Sequence, residues 1–473
     1  KGKYLAEVNG RYDGTSRFPR GKRYGFFPSF SAAYRISEEA FFEPLRKTVD
    51  NLKIRLSYGS LGNQQIGYYD FIQTITTKGS MGDYSFDGTI LGQHATVSDP
   101  VSGNQTWEKV ISKNLGADLN MFSNRLSLTA DFYIRDTKGI LGKGKSLPSI
   151  YGANEPQVNS NNLRTKGYEL VLGWRDSFKL AGSTFSYGIT GTFSDYTAEY
   201  TKCDNPSGLI GDPYVGKKYG EIWGYKVDGL FRNDEEAAEY ASRVDLSKVA
   251  AGYYSATGAY GKGVRGGDIK YLDLDGSGIV DGGKGTLEDP GDRRVIGNSS
   301  PRYQYGLTLN LSWYGFDLSV FMQGIGRLDW YPGADNLRFW GPYSRPYATF
   351  IPKNFMSQVW SESNPDAYLP RARAYTSLNS TQGTAYYTND RYLQNLAYCR
   401  LKNLTLGYTI PKRLTSKVGI KECRVYFSGE NLATWSALKN DFLDPEQAAA
   451  NSDKKSNVYP WCRTYSVGLN LTF

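Results

Sequence analysis

The segment RYQYGLTLNLSW (residues 302–313) alternates: Tyr303, Tyr305, Leu307, Leu309, Leu311 and Trp313 are interleaved with Gln304, Gly306, Thr308, Asn310 and Ser312. Successive side chains of a β-strand point to opposite faces, so a period of two sets an apolar face against a polar one. The alternation persists for about eleven residues, where soluble strands usually stop at about five or six and a tilted strand of about nine to eleven crosses a bilayer core. The segment predicts a membrane-crossing strand.

Working outward from it, comparable runs occupy residues 3–13, 24–36, 51–60, 109–121, 124–136, 163–175, 184–199, 315–325, 399–410, 421–431 and 462–473. In RLSLTADFYIR, Leu126, Leu128, Ala130, Phe132 and Ile134 share one side, with Ser127, Thr129, Asp131 and Arg135 on the other. A basic residue facing lipid at the midplane costs about 2–4 kcal/mol, and an acidic one less, so the charged face should line a lumen and the apolar face meet lipid. Unpaired backbone groups in hydrocarbon each cost several kcal/mol, which only a closed barrel avoids. The expected fold class is all-β, a transmembrane antiparallel β-barrel. Short links at 37–50, 122–123, 176–183, 314 and 411–420 alternate with long ones at 61–108, 137–162, 200–301, 326–398 and 432–461, with 14–23 a modest exception. That asymmetry predicts periplasmic turns and external loops.

Phe122, Trp174, Trp313, Tyr314, Phe316, Tyr408 and Phe473 fall at the short-link ends, where rings sit at headgroup depth. The final run, TYSVGLNLTF, closes on an aromatic, like the signal read by outer-membrane assembly machinery.

Composition agrees with this reading. The 473 residues are 40% hydrophobic and 15% aromatic, with 38 Tyr and 53 Gly, a pairing suited to β-structure with aromatic bands and glycine-rich loops. No window approaches the roughly 18 consecutive apolar residues of a spanning helix. The net charge of +9 arises from 56 basic and 47 acidic residues spread along the chain, which reads as solvated loops and not as a nucleic-acid site. Cys203, Cys399, Cys423 and Cys462 have no CxxC spacing, and His94 is the single histidine, so neither a zinc cluster nor a Ser-His-Asp arrangement is expected; no residue is assigned a catalytic role. Cys399 and Cys462 are expected on strands two apart, about 9–10 Å between Cα atoms, beyond the roughly 7 Å limit for a disulfide. The opening KGKYLAEV carries neither a methionine nor a basic-then-apolar leader, so either a signal has been removed or the chain is an internal fragment.

Several segments, in order along nearly the whole chain, resemble the SusC/RagA family of TonB-dependent transporters of Bacteroidetes-type outer membranes. They include YGFFPSFSAAYRISEE (24–39), LKIRLSYGSLGNQQI (52–66), WEKVISKNLGADLNMFSNRLSLTADFYIRDTKGIL (107–141), GDIKYLDLDGSGIVD (267–281), IGNSSPRYQYGLTLNLSWYGFDLSVFMQGIG (296–326), RLKNLTLGYTIPKRL (400–414) and RTYSVGLNLTF (463–473). The resemblance implies a barrel of 22 strands with an N-terminal plug and a TonB-contacting segment. Residues 1–473 would be its C-terminal half, with about twelve strands, a large extracellular loop insertion at 200–301 and another extracellular loop at 326–398. It also implies import of oligosaccharides or oligopeptides with a SusD-like surface lipoprotein, contact with TonB through the N-terminal region, and an N-terminal remainder of the transporter that completes the pore. A passive porin or adhesive barrel, which would conduct steadily, and a soluble all-β module, stable without detergent, are the alternatives.

The loop from Asp273 to Asp281 carries Asp273, Asp275, Ser277, Ile279 and Asp281 at positions 1, 3, 5, 7 and 9, with Gly278 at position 6, as in an EF-hand-like loop. Closely spaced carboxylates repel unless a cation lies between them, so Ca2+ (or Mg2+) in a structural role is expected, although position 12 is Lys284. No organic cofactor is expected. GILGKGKS (139–146) matches the P-loop pattern, but Pro148 and Pro156 deny it the helix that phosphate binding needs, and GKGVRG (261–266) is read as a flexible loop. Loop aromatics Tyr68, Tyr69, Trp330, Tyr331, Phe339, Trp340, Tyr343, Tyr386 and Tyr387 are candidates for stacking on sugars or packing on peptide side chains, or for packing loop against loop.

Overall fold

The computed structural model describes residues 2–78, 85–86, 89–90, 94–145, 147–254, 263–347, 349, 351–373, 378, 383–440, 442–449 and 459–473. Ser146 of the P-loop match and Gly261 and Lys262 of GKGVRG lie outside them.

Twelve strands form one antiparallel sheet in chain order. They are β1 (Tyr4–Gly14), β2 (Tyr24–Arg35), β3 (Val49–Asn63), β4 (Glu108–Met121), β5 (Leu126–Lys143), β6 (Gln157–Leu180), β7 (Ser183–Lys202), β8 (Arg302–Trp313), β9 (Phe316–Arg327), β10 (Tyr398–Thr409), β11 (Glu422–Ser436) and β12 (Thr464–Thr472). Each alternating run becomes one strand. β5 and β6 run well past the amphipathic stretches, because ladder pairing outside hydrocarbon needs no apolar face. The loop expected at 137–162 therefore shrinks to 144–156, and the link expected at 176–183 to Ala181 and Gly182. Ala181 (φ 48°) and Gly182 (φ 83°), like Tyr314 (φ 48°) and Gly315 (φ 84°), take the left-handed conformations of a two-residue hairpin turn whose twist matches its strands. Connections at 36–48, 122–125, 181–182, 314–315 and 410–421 alternate with 64–107, 144–156, 203–301, 328–397 and 437–463; the second set is the longer, except that 36–48 and 144–156 both run 13 residues.

The chain divides into two compact units, Lys1–Leu170 with Tyr196–Tyr219, and Val171–Asp195 with Gly220–Phe473. In the second, register lines up an apolar row, Tyr187, Leu311, Leu318, Leu406, Phe427 and Val467. One residue along lies a polar row, Gly188, Asn310, Ser319, Thr405, Ser428 and Ser466. Leu307 is 41% exposed, and neither Leu309 nor Leu311 is buried, so among the described residues no core closes over this part of the apolar face. The first unit repeats the pattern, with Ala6, Ala32, Leu56, Leu115 and Phe132 in one row and Leu5, Ala33, Arg55, Gly116 and Asp131 in the next.

Charges on the second face pair across an intervening strand. Arg55 of β3 reaches over Gly116 of β4 to Asp131 of β5 (Nη2–Oδ2 2.9 Å) and also holds Asp118. Arg424 of β11 and Asp317 of β9 meet over Gly407 of β10 in the same way. A Cβ on Gly116 would stand 2.6 Å from the Arg55 Cζ, so the glycine is what lets the fork lie flat. Aromatic rings gather at short-turn ends of the second unit, with Phe316 and Tyr408 4.5 Å apart and Trp313 and Tyr314 5.0 Å, whereas Trp174, whose indole donates to the Tyr187 hydroxyl (3.1 Å), lies inside β6 because that strand continues to Leu180. All four cysteines are free, and no described helix is long and apolar enough to cross a membrane.

The two rows make different demands on a charge. Leu309→Arg, on the apolar face, is expected to destabilise the folded protein in lipid vesicles by about 2–4 kcal/mol, and the adjacent Asn310→Arg, on the polar face, by less than about 1 kcal/mol. Equilibrium urea unfolding measured by tryptophan fluorescence checks the contrast, and equal losses would contradict the assignment of faces.

Candidate functional site

Between β7 and β10 the second unit builds a small folded body above its strands. Glu221–Tyr225 pairs with Arg293–Asn298, and Val227–Leu230 with Ile269–Tyr271. Helix α1 (Asp234–Arg243) starts at Asn233, whose side chain accepts the Glu236 N–H (2.9 Å), and carries Asp234, Glu235 and Glu236 in its first turn, where carboxylates favour the positive end of the helix dipole. Its buried side joins Phe231, Tyr253, Tyr271, Trp340 and Tyr392 in one apolar cluster.

That cluster takes up several of the aromatics singled out from sequence. Phe339, Trp340 and Tyr343 are almost wholly buried, with the Trp340 indole donating to the Pro332 carbonyl (3.2 Å) and the Tyr343 hydroxyl to the Pro370 carbonyl (2.5 Å). Their faces are occupied by other loop side chains, such as Tyr392 against Trp340 at 5.0 Å. Tyr331 and Tyr387 pack on the same cluster half-buried. The Tyr331 hydroxyl donates to the Tyr387 carbonyl (3.0 Å) and the Tyr387 hydroxyl to the Lys248 carbonyl (2.8 Å). Trp330 is half-buried in a short pairing with Gln394, and Tyr386 stays 38% exposed. Tyr68 and Tyr69 belong to the other unit and are 74% and 52% exposed. Rings drawn into this cluster pack loop against loop, and Tyr68, Tyr69 and Tyr386 keep the most open surface.

The acidic loop closes differently from its sequence pattern. Oxygen atoms of Asp273, Asp275 and Asp292 lie within 4.8 Å of one another. Asp292, which sequence reasoning missed because it stands well downstream of the motif, is fully buried and accepts the backbone N–H groups of Leu274 (2.6 Å) and Asp281 (3.0 Å). Asp273 accepts the N–H groups of Gly276 and Gly278, and the Ser277 hydroxyl donates to the Ile279 carbonyl (3.0 Å), while Asp281 accepts the Gly283 N–H. Gly276 and Gly278 hold φ of 74° and 79°, which the tight loop requires. Burial pushes the Asp292 carboxyl above the usual range, whereas Ser277, through hydroxyl and backbone N–H, holds Asp275 below it. The donor set is all oxygen and suits a hard divalent cation, with Asp292 supplying a carboxylate where the motif's twelfth position offers Lys284. Gly139 to Lys143 of GILGKGKS lie on strand β5.

In the first unit, Tyr68 and Tyr69 border a cavity of ≈ 740 Å³ formed by the connections at 64–107 and 144–156. The Arg17 guanidinium lies 4.3 Å from the centre of the Tyr68 ring and donates to the Ile66 carbonyl (2.8 Å), which fixes one side of that ring. Asn154 closes the two connections together through Asp99, donating from its side chain (2.8 Å) and its backbone (3.2 Å), and these bonds hold the Asp99 carboxyl below the usual range. Gln105 also lines the cavity and is 3% exposed; its Nε2 donates to the Gln157 carbonyl (3.2 Å), and its Oε1 is without a partner among the described residues.

Asp292→Ala is expected to strip the acceptor from Leu274 and Asp281 at a local cost of about 3 kcal/mol. Amide exchange at those two residues should then accelerate about 100-fold, and unchanged protection would deny Asp292 its role.

Residues 1–432 match the family described as TonB dependent receptor-like, beta-barrel. Among curated relatives, the TonB-dependent receptor P3 of Formosa agariphila is 27% identical across all of this chain and 44% of its own length, and the TonB-dependent receptor SusC of Bacteroides thetaiotaomicron 24% identical across all of this chain and 42% of its own. A solved structure of the RagAB peptide transporter superposes on the whole chain with a TM-score of 0.72 at 21% identity, over 46% of its own length. The chain thus spans less than half the length of these relatives.

Proposed function

The chain belongs to the TonB-dependent receptor-like β-barrel family of the outer membrane, whose members are transporters and not enzymes, and from that premise we propose that it supplies one half of the barrel of a SusC/RagA-type importer. The observation that carries this reading is the sheet itself: an apolar row and a polar row alternate across strands of membrane-spanning length, and short turns alternate with long connections. The apolar rows face lipid. The Arg–Asp pairs over Gly116 and Gly407 face the lumen, where charge is cheap. Among the described residues β1 and β12 each pair along one edge, and further strands of the transporter, from its N-terminal remainder, complete the wall. An N-terminal plug gates the pore, TonB drives it from the periplasm, and a SusD-like lipoprotein captures oligosaccharide or oligopeptide at the external loops of a Bacteroidetes-type cell. In this reading 203–301 and 328–397 are external, and the folded body they build is the platform that meets the lipoprotein.

Two measurements test it. Deleting the gene should abolish uptake of the nutrient retained by the purified complex, and so should removal of TonB, while the complete transporter in a planar bilayer should stay closed. Steady conductance with TonB-independent uptake would instead make the protein a passive porin.

The acidic loop takes a Ca2+ ion in this proposal, held by Asp273, Asp275 and Asp292 with help from Ser277, Ile279 and Asp281, and its role is to stiffen the external body. Its support is the convergence of three carboxylates on one point. Titration calorimetry with Ca2+ should give a single site that Asp273→Asn weakens at least ~10-fold, equivalent to about 1.4 kcal/mol. Heat independent of the substitution would place the ion elsewhere.

A further inference from the structure

Resting on the membrane orientation of the importer reading, we propose that the outward face of β4, β5 and β6 binds a phosphorylated glycolipid of the external leaflet, with its phosphate held by Lys109, Lys113, Lys138, Arg164 and Lys166. The register puts these cations on the face of the apolar row. Lys113 stands between Tyr58 and Ile134, two residues along β4 from Leu115, and Lys109 stands between Gly62 and Lys138. Asp136 of β5, opposite Ile111, is on the same face and is gripped by Arg164 of β6 (Nε–Oδ1 2.7 Å). Tyr168 brings its ring within 6.4 Å of Phe132, and Lys166 lies between it and Arg164 in the alternation. All five cations are exposed.

Their depth matches the external headgroups. Counted from Met121 at the 122–125 turn, Lys113 and Lys109 lie about 26 and 40 Å along β4 at about 3.3 Å per residue, which a tilt of about 40° reduces to about 20 and 30 Å. An apolar band of about 25 Å ends between them.

Three features separate this patch from an ordinary solvated rim. Lys109 and Lys138 face each other directly in the ladder, an arrangement that costs stability unless an anion lies between them. Positive charge is also in surplus. Lys109, Lys113, Lys138 and Lys166 make no ion pair among the described residues. The carboxylates nearby are Asp136, committed to Arg164 and lying in the field of Lys113 and Lys138, and Glu199, whose charge also reaches Arg164 and which itself faces Lys218. The basic character is local as well: Gly10, Tyr12, Phe26, Pro28, Ser60 and Gly62, the outward residues near this level of β1, β2 and β3, carry no charge.

The surface below the cations selects an amphiphile over free phosphate. Ala32, Leu56, Leu115 and Phe132 form an apolar row directly beneath Lys113, so a headgroup bound at the lysines lays its acyl chains on that row. Ammonium and guanidinium groups give phosphate oxygens strong charge-assisted hydrogen bonds, and basic clusters beside the apolar band are a recurrent means of holding lipid headgroups.

Native mass spectrometry of the complete transporter in detergent, titrated with monophosphoryl lipid A, tests the site. A saturable first adduct is expected, and its Kd should rise at least ~10-fold when Lys109→Gln, Lys113→Gln, Lys138→Gln and Lys166→Gln are combined. These side chains are exposed, so their substitution spares the fold. Removing charge from the link at 410–421 instead, by Lys412→Gln, Lys417→Gln and Lys421→Gln, should leave Kd unchanged. Dephosphorylated lipid A should bind at least ~10-fold more weakly, and millimolar inorganic phosphate should fail to displace the bound lipid. Affinity indifferent to the four substitutions, an equal loss in the 410–421 variant, or equal binding of the dephosphorylated lipid would each overturn the proposal, and displacement by inorganic phosphate would reduce the patch to a free-anion site. A parallel measurement isolates the orientation: the tryptophan of Leu115→Trp, in vesicles, should be quenched by brominated acyl chains. Quenching there without lipid A binding removes the glycolipid site alone, whereas no quenching removes the membrane orientation on which it rests.

Discussion

Hydrocarbon offers no partner to a peptide N–H or C=O, so any backbone that enters it must bring its own. The twelve-stranded sheet follows from that requirement. A sheet meets it by pairing strand to strand, and the pairing sets side chains alternately on two faces. One face then meets lipid and the other water, which is why Leu311, Leu318, Leu406 and Phe427 line up across four strands while Asn310, Ser319, Thr405 and Ser428 line up beside them.

The wet face has its own economy. Arg55 with Asp131 and Arg424 with Asp317 pair over glycines on the intervening strand, so the charges lie flat against the wall. Partly exposed pairs of this kind contribute little to stability singly. What they determine is the shape and polarity of the surface available to whatever fills the lumen.

The long connections carry no membrane face and fold by different rules. Residues 220–397 contribute most of an ordinary apolar cluster with a capped helix beside it, built around Trp340, Tyr392 and Tyr271. The acidic loop is tied to that body through Asp292, so rigidity in the loop and rigidity in the body are the same property. The connections at 64–107 and 144–156 are tied to each other through Asp99 and Asn154, and they line the cleft.

The period of two in the chain determined by itself that there would be strands, how many cross the sheet and which residues share a face, because alternation is a local property that lipid and water enforce residue by residue. The resemblance to the SusC/RagA family was equally legible, since its motifs lie in order. Only the tertiary structure decided that Phe339, Trp340 and Tyr343 are interior, that Asp292 joins Asp273 and Asp275, that Gln105 lines a cleft with Tyr68, and that Gly116 and Gly407 lie beneath ion pairs. Those facts depend on which distant segments pack together. An aromatic or a carboxylate in a loop carries the same letter whether its neighbour is water or another loop, and the free energy that separates the two cases resides in contacts between residues far apart in the chain.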